Sequence, residues 1–330
     1  MKAKKLLPIL ALALAATTLA ACGDQSVTFG HYWFKDSLTK EENFFEQAEY
    51  TVSSKATSTS YCNYEVTYNG TFTTTFAYNA TAETYTFETA LDVTATFKLG
   101  DTTSEVKDSA ESKITIDAKS NALRPISSYK KMTCHTPLSG NYESAEKCYA
   151  TVDYEYTTEY SSDKQQGSIQ SQKCEIISSR GEKIEMPLKD SFDFIENYTF
   201  IDNEQLLVAV RAFSASTSSA TLGSYGAFAE NTQKVKVSFT DSDEASTPFQ
   251  YTLINADGTK NESTKNILYR TARISLDQSN PGVTQQIKLA KAKSASDNDY
   301  RNVILEITTP LSYSMGEIYY KLTQISYQKA

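Results

Sequence analysis

From Cys62 onward, apolar and polar side chains alternate with a period of two. Cys62, Tyr64, Val66 and Tyr68 take one face and Asn63, Glu65, Thr67 and Asn69 the other, which predicts a half-buried strand. Tyr68-Asn69-Gly70 reads as a turn, and the next strand carries Phe72, Phe76 and Tyr78. The longest signal follows: Tyr85, Phe87, Thr89, Leu91, Val93, Ala95, Phe97 and Leu99 hold alternate positions against Thr, Glu, Asp and Lys. Such a segment reaches roughly 50 Å when extended, a length that suits strongly curved sheets and barrels. Ile114 and Ile116 continue the rhythm, as do residues 127–132 around Tyr129, then Cys148, Ala150, Val152, Tyr154 and Tyr156. Residues 160–167 form a polar turn, and 169–179 a further strand with Cys174 and Ile176 on one face. Strands joined by short polar turns are antiparallel neighbours, because parallel ones need long crossovers.

The rhythm breaks at residues 202–213. Asp202 with Gln205 three positions on has the form of a capping box, and Leu206, Leu207, Val210 and Phe213 fall on one helical face. So apolar a helix is expected to be buried, and its one charge, Arg211, has three destinations open to it: a buried carboxylate, a ligand headgroup, or the surface. Residues 214–231 read as a small-residue loop, a lid or a disordered tip. Strands resume with Val235, Val237 and Phe239, then Phe249, Tyr251 and Leu253, turning at Asn255-Ala256-Asp257-Gly258, and continue over 267–276, 283–289, 303–307 and 316–327. Upstream, the aromatic run His31-Tyr32-Trp33-Phe34 is expected to dock on the core, and residues 36–48 read as a helix capped by Asp36 or Ser37, with Leu38, Phe44, Phe45 and Ala48 on its apolar face. The expectation is a mainly β protein: a long antiparallel curved sheet, an unclosed half-barrel, packed on a buried helix near 202–213, plus a short N-terminal helix. No linker of Pro, Gly or Ser character divides it. It divides into residues 1–21, a signal; 22–58, a tether and N-terminal helix; and 59–330, one domain with lobes 59–190 and 191–330.

Composition supports strands, with 22 Tyr and 15 Phe against 12 Gly and 7 Pro among 330 residues. The first residues change the picture more. Lys2, Lys4 and Lys5 precede an apolar stretch over 6–14, too short to span a bilayer, and then comes Leu19-Ala20-Ala21-Cys22. This resembles the lipobox of bacterial lipoproteins. The resemblance implies cleavage before Cys22, lipid attachment to its sulfur, and an extracytoplasmic chain anchored to, not spanning, a bacterial membrane. Each buried methylene contributes about 0.8 kcal/mol, so two or three acyl chains hold firmly where one does not. Losing residues 1–21 removes three lysines and no acid, moving the net charge from −8 to about −11. That excludes nucleic acid as a natural partner and leaves the acyl anchor to supply membrane attachment.

Long antiparallel strands around a buried apolar helix, behind a lipobox, resemble the unclosed half-barrel of lipoprotein carriers and related envelope proteins of unknown function. The matching pieces are the helix at 202–213, Tyr300-Arg301-Asn302-Val303, and Gly316-Glu317-Ile318-Tyr319-Tyr320-Lys321-Leu322. The resemblance implies a concave apolar cavity for a lipid-like molecule, with Phe87, Leu91, Val93, Phe97, Leu206 and Val210 as candidate lining, although no ligand-contacting residue of the carriers maps onto this chain. Four cysteines besides Cys22 allow three pairings. A hairpin turning at Gly140-Asn141 would set Cys134 opposite Cys148, the favoured disulfide, leaving Cys62 and Cys174 to pair or to stay as thiols.

Chemistry is sparse. The chain has no H-E-x-x-H, G-x-S-x-G, phosphate-binding glycine loop or C-x-x-C. His135 adjoins Cys134, but strand neighbours face opposite sides, so no metal or other cofactor is expected. The acidic turns at 241–244 and 255–258 read as solvated hairpins. Two functions remain, both non-enzymatic: binding of an apolar or lipid-like ligand in the concave cavity, or a structural or interaction role in the envelope, with a filled core and a protein or cell-wall partner.

Overall fold

The structure is a computed structural model that describes residues 27, 29, 44–119, 122–185, 188–214, 216–226, 229, 231–242, 248–255, 257–276, 283–291 and 302–329. Its first half is an antiparallel meander: β1 (Phe44–Ala56), β2 (Glu65–Asn79), β3 (Thr84–Leu99), β4 (Thr102–Asp117), β5 (Pro125–Pro137), β6 (Tyr149–Ser161) and β7 (Gln166–Ile177), each paired with the next. Two short strands, β8 (Lys183–Glu185) and β9 (Ser191–Asp193), pair with different stretches of β7. After the helix α1 (Leu206–Ala212) come β10 (Ser219–Ser224), β11 (Gln233–Ser242), β12 (Phe249–Ile254), β13 (Lys260–Lys265), β14 (Tyr269–Leu276), β15 (Val283–Ala290), β16 (Ile304–Pro310) and β17 (Gly316–Lys329). All 17 strands join one sheet, because β17 pairs with β1 along its whole length and so couples the two halves. Among the described residues no helix is long and apolar enough to cross a membrane.

The expected alternation is realised most fully in β3, where Tyr85, Phe87, Val93, Ala95 and Phe97 are all buried. At 16 residues each, β3 and β4 run about 53 Å. Burying each such large side chain stabilises the fold by roughly 1.5–3 kcal/mol. The turn expected at Tyr68-Asn69-Gly70 does not exist, since β2 passes straight through it. Gly70 lies opposite Val93, and a Cβ there would stand 2.2 Å from the Asp92 carbonyl oxygen. The glycine therefore permits close approach of two strands; it does not reverse the chain.

Two further expectations are corrected. Phe44, Phe45 and Ala48 are not helical: they lie in β1, where Ala48, Tyr50 and Val52 alternate into the core, and the sheet therefore starts before residue 59. Hydrogen-bonded ladders to β2 on one side and β17 on the other outweigh the modest helical pattern. Residues 36–43 lie outside the described residues, as does the 31–34 aromatic run. The stretch 214–231, expected as a loop, contains β10, which pairs with β11.

The helix is shorter than expected, because residues 203–205 form a turn that enters it. All seven residues of α1 are buried, and the six apolar ones belong to the largest core cluster, between strands of both halves. Its one charge reaches a buried carboxylate. Arg211 Nη1 and Nη2 donate to Glu46 of β1 at 2.6 and 2.9 Å, and Nε donates to the Asn302 carbonyl at 3.2 Å.

The ladder does not close. Between β9 and β10 the only described backbone pairing is the bridge of Phe200 to Gly223, in which the Gly223 N–H donates to Thr199 O at 2.9 Å and the Ile201 N–H to Gly223 O at 3.0 Å. Aromatic rings fill the seam. Phe192 stacks on Tyr225 with centroids 3.9 Å apart, and Phe194 on Phe200 at 4.1 Å. The N-terminal segment docks beside this seam: the Val27 N–H donates to Thr199 Oγ1 at 2.7 Å, the Thr199 hydroxyl to Val27 O at 3.3 Å, and buried Phe29 meets the Phe213 ring at 5.1 Å.

Candidate functional site

The β2–β3, β4–β5 and β6–β7 turns lie together at one end of the strands. There a cleft of about 330 Å³ opens between Glu83, Asp117, Lys119, Arg124, Ile126 and Tyr160, among others. Two acids face two bases, so its lining is close to neutral. Lys119 and Glu83 approach to 3.6 Å, but both are mostly exposed, and such a pair contributes little. Leu123 plugs this end from the β4–β5 connection, wholly buried.

Behind the cleft sits a buried polar cluster. Lys130 occupies an inward position on β5, between Ser128 and Met132, where the alternation calls for an apolar residue. Its ammonium is 2.8 Å from Asp202 Oδ1 and in direct contact with Glu204 Oε2. The Tyr160 hydroxyl donates to Asp202 Oδ2, so the Ser128 hydroxyl, 3.1 Å away, must donate to Tyr160. The sequence-predicted capping box forms in part just ahead of α1, with Asp202 reaching the N–H of residue 204 in place of that of Gln205. The Glu204 N–H donates to Asp202 Oδ1 at 3.1 Å, and the Asp202 N–H to Gln205 Oε1 at 3.2 Å. Gln205 Nε2 in turn donates to the Leu123 carbonyl at 2.5 Å, tying the helix entrance to the plug.

One ammonium shared by two carboxylates separates their titrations. Burial raises Asp202, but the Lys130 charge together with side-chain hydrogen bonds from Glu204, Lys130 and Tyr160 outweighs it and holds the carboxyl below its usual range. Burial pushes Glu204 up, Lys130 pulls it down and Asp202 pushes it up again, for a result of about 7. Burial lowers Lys130, yet the two carboxylates raise it well above its ordinary value. The lysine is thus a permanently charged anchor, not a nucleophile, and Glu204 is a group that holds a proton near neutrality.

A second buried polar site, an acid–imidazole pair, lies nearer the other end. The β4–β5 ladder stops at Ser109–Thr133, and buried Asp108 takes over: its Oδ1 accepts the His135 backbone N–H at 3.0 Å and stands 2.6 Å from Nδ1. Burial raises the Asp108 carboxyl, while the bonds from His135 oppose that. Burial pushes the Cys134 thiol up to about 12 and those of Cys148 and Cys174 to about 11, so none carries the thiolate a nucleophile needs. Among the described residues no group of three His, Cys, Asp or Glu side chains is arranged to hold a metal ion.

The residues nominated from sequence fall into separate places. Phe87, Leu206 and Val210 share the largest core cluster, whereas Val93 and Phe97, with partly exposed Leu91 packed against them, belong to another toward the opposite end. Ten residues of strand separate Phe87 from Phe97, about 33 Å, too far to line one small pocket. Phe97 already contacts the Tyr149 ring at 4.6 Å. Cys22 lies outside the described residues. The Cys134–Cys148 disulfide is corrected by the register: Cys134 lies opposite Val152, and the Leu138 N–H meets the Cys148 carbonyl at 2.8 Å. Four residues of offset put the two cysteines about 13 Å apart along the strand, beyond the reach of a bridge. All four described cysteines are free thiols. Lys130 and Glu204 were missed in the sequence; the available signal was a lysine on an otherwise inward face.

No protein-family model matches the chain, and no curated protein matches it. Among solved structures it is similar to the crystal structure of a beta-barrel-like protein of domain of unknown function DUF1849 from Brucella abortus, at TM-score 0.46 and 11% identity, covering 87% of this chain and 98% of that one. At that score the likeness carries no inference about activity or ligand.

Proposed function

We propose that this chain is a lipid-anchored, non-enzymatic protein of the bacterial cell envelope, held outside the cytoplasm through acylated Cys22, whose half-barrel is a rigid body for a protein or cell-wall partner. The observation that carries the interaction reading is the state of the expected cavity wall: Phe87, Val93, Phe97, Leu206 and Val210 are each no more than 5% exposed, their apolar surface already used within the fold. The non-enzymatic reading draws on the polar groups being committed to one another, Lys130 to two carboxylates and His135 to Asp108. Binding of an apolar or lipid-like molecule is the second reading, favoured by the concave arrangement of long strands around α1.

Two measurements test these readings. Metabolic labelling with palmitate should mark the wild-type chain and not Cys22→Ala; an unlabelled wild type removes the anchor. Solvent extraction of residues 23–330 followed by mass spectrometry should recover no stoichiometric apolar molecule, whereas recovery of one would replace the interaction reading with the second.

A further inference from the structure

We infer that the end of the sheet carrying the β2–β3, β4–β5 and β6–β7 turns faces the lipid bilayer. This rests on the acylation of Cys22 proposed above and adds an orientation to it. The folded body takes hold of the chain early: Val27 is clamped by Thr199 through two hydrogen bonds, and Phe29 is buried against Phe213. Thr199 belongs to the turn end. The next residue, Phe200, packs its ring 4.1 Å from Phe194 and 5.7 Å from Tyr160, and the Phe194 N–H donates to Gln165 O in the β6–β7 turn at 2.7 Å.

Only five peptide units join Cys22 to Val27, a span of at most about 18 Å even when fully extended. The strands are about 53 Å long. A bilayer holding the acyl chains therefore lies within reach of the turn end and far from the opposite one, unless the molecule lies flat. A molecule lying flat would present both ends equally to lipid. Ile126, 38% exposed at the cleft, adds an apolar contact on the same end. The partner that fits is a phospholipid headgroup layer, met end-on.

The test uses the full-length acylated protein in vesicles of phosphatidylethanolamine and phosphatidylglycerol doped with a diazirine-bearing phospholipid. Cross-links mapped by mass spectrometry should be several-fold enriched at 80–83, 118–126 and 162–165 over 100–101, 139–147 and 312–314. Inserting about 30 Gly/Ser residues between Asp24 and Gln25 gives the tether a mean reach of about 30 Å and should erase that bias. An acylated wild type cross-linked evenly, or at the far end, overturns the orientation and leaves the anchor standing. A wild type with no acyl group on Cys22 overturns both.

Discussion

The two ends of the sheet are sealed by opposite chemistry. At the turn end, Lys130, Asp202, Glu204 and Tyr160 hold the entrance of α1 against β5 and β6 through charge and hydrogen bonds. At the far end the seal is aromatic and aliphatic: Tyr64, Phe97, Ala145, Cys148 and Met315 are buried together. The hydrogen bonds of Tyr64 and Asn63 within it are between neutral groups. The Tyr64 hydroxyl donates to Leu138 O at 2.8 Å, and the Asn63 side chain exchanges two 3.0 Å bonds with the Tyr142 backbone. An apolar seal depends weakly on pH and salt, whereas a buried ion cluster responds to both and fails sharply when one partner is removed. The difference between the ends is therefore open to measurement.

Lys130→Met should have the largest effect, because it leaves two carboxylates in a buried site without their counter-ion. A loss of about 3–5 kcal/mol in urea unfolding is expected at pH 8, shrinking as the pH is lowered and Glu204 becomes neutral. Equal losses at pH 5 and pH 8 would show that the cluster is not electrostatically coupled. At the far end, Tyr64→Phe removes one donor from the buried Leu138 carbonyl and should cost about 1–3 kcal/mol, the same at both pH values.

Glu204→Gln sharpens the contrast through its slope. Glu204 has a folded value raised from 4.5 to about 7, so between those limits the folded state holds a proton the unfolded state has released. Stability contributed by that proton is complete below 4.5 and is lost as the pH rises through 7. The urea midpoint of wild type should fall across this window relative to that of the glutamine variant, and parallel curves would refute the assignment. Asp202 behaves in the opposite sense: its depressed value makes it stabilising above about 4, with that contribution lost only in stronger acid. Lys119→Ala, at the exposed pair with Glu83, should leave the midpoint within error.

Much of the architecture was legible along the chain because a sheet with one buried face writes its period directly into residue type. Tyr85 through Phe97 show this, as does the buried helix marked by its unbroken apolar run. Arg211 was visible as an anomaly, though Glu46, 165 positions away, was not. Gly70 misled because a glycine required for close approach looks the same as one required for a turn. β1 misled because Phe44, Phe45 and Ala48 fit either period, and only its two neighbouring ladders decide between them. The cysteine pairing failed on a register offset of four residues, which a hairpin drawn symmetrically about Gly140 does not reveal.

The sequence by itself determined the strand period, the buried helix and the acidity of the chain, since each is a local property of neighbouring side chains. Tertiary structure alone decided that β17 returns to β1, that the seam between β9 and β10 is filled by aromatic rings, and that Lys130 meets Asp202 and Glu204. Those contacts join residues tens to hundreds of positions apart, and the free energy that selects them comes from packing and desolvation shared across the whole sheet, which no short window of residues contains.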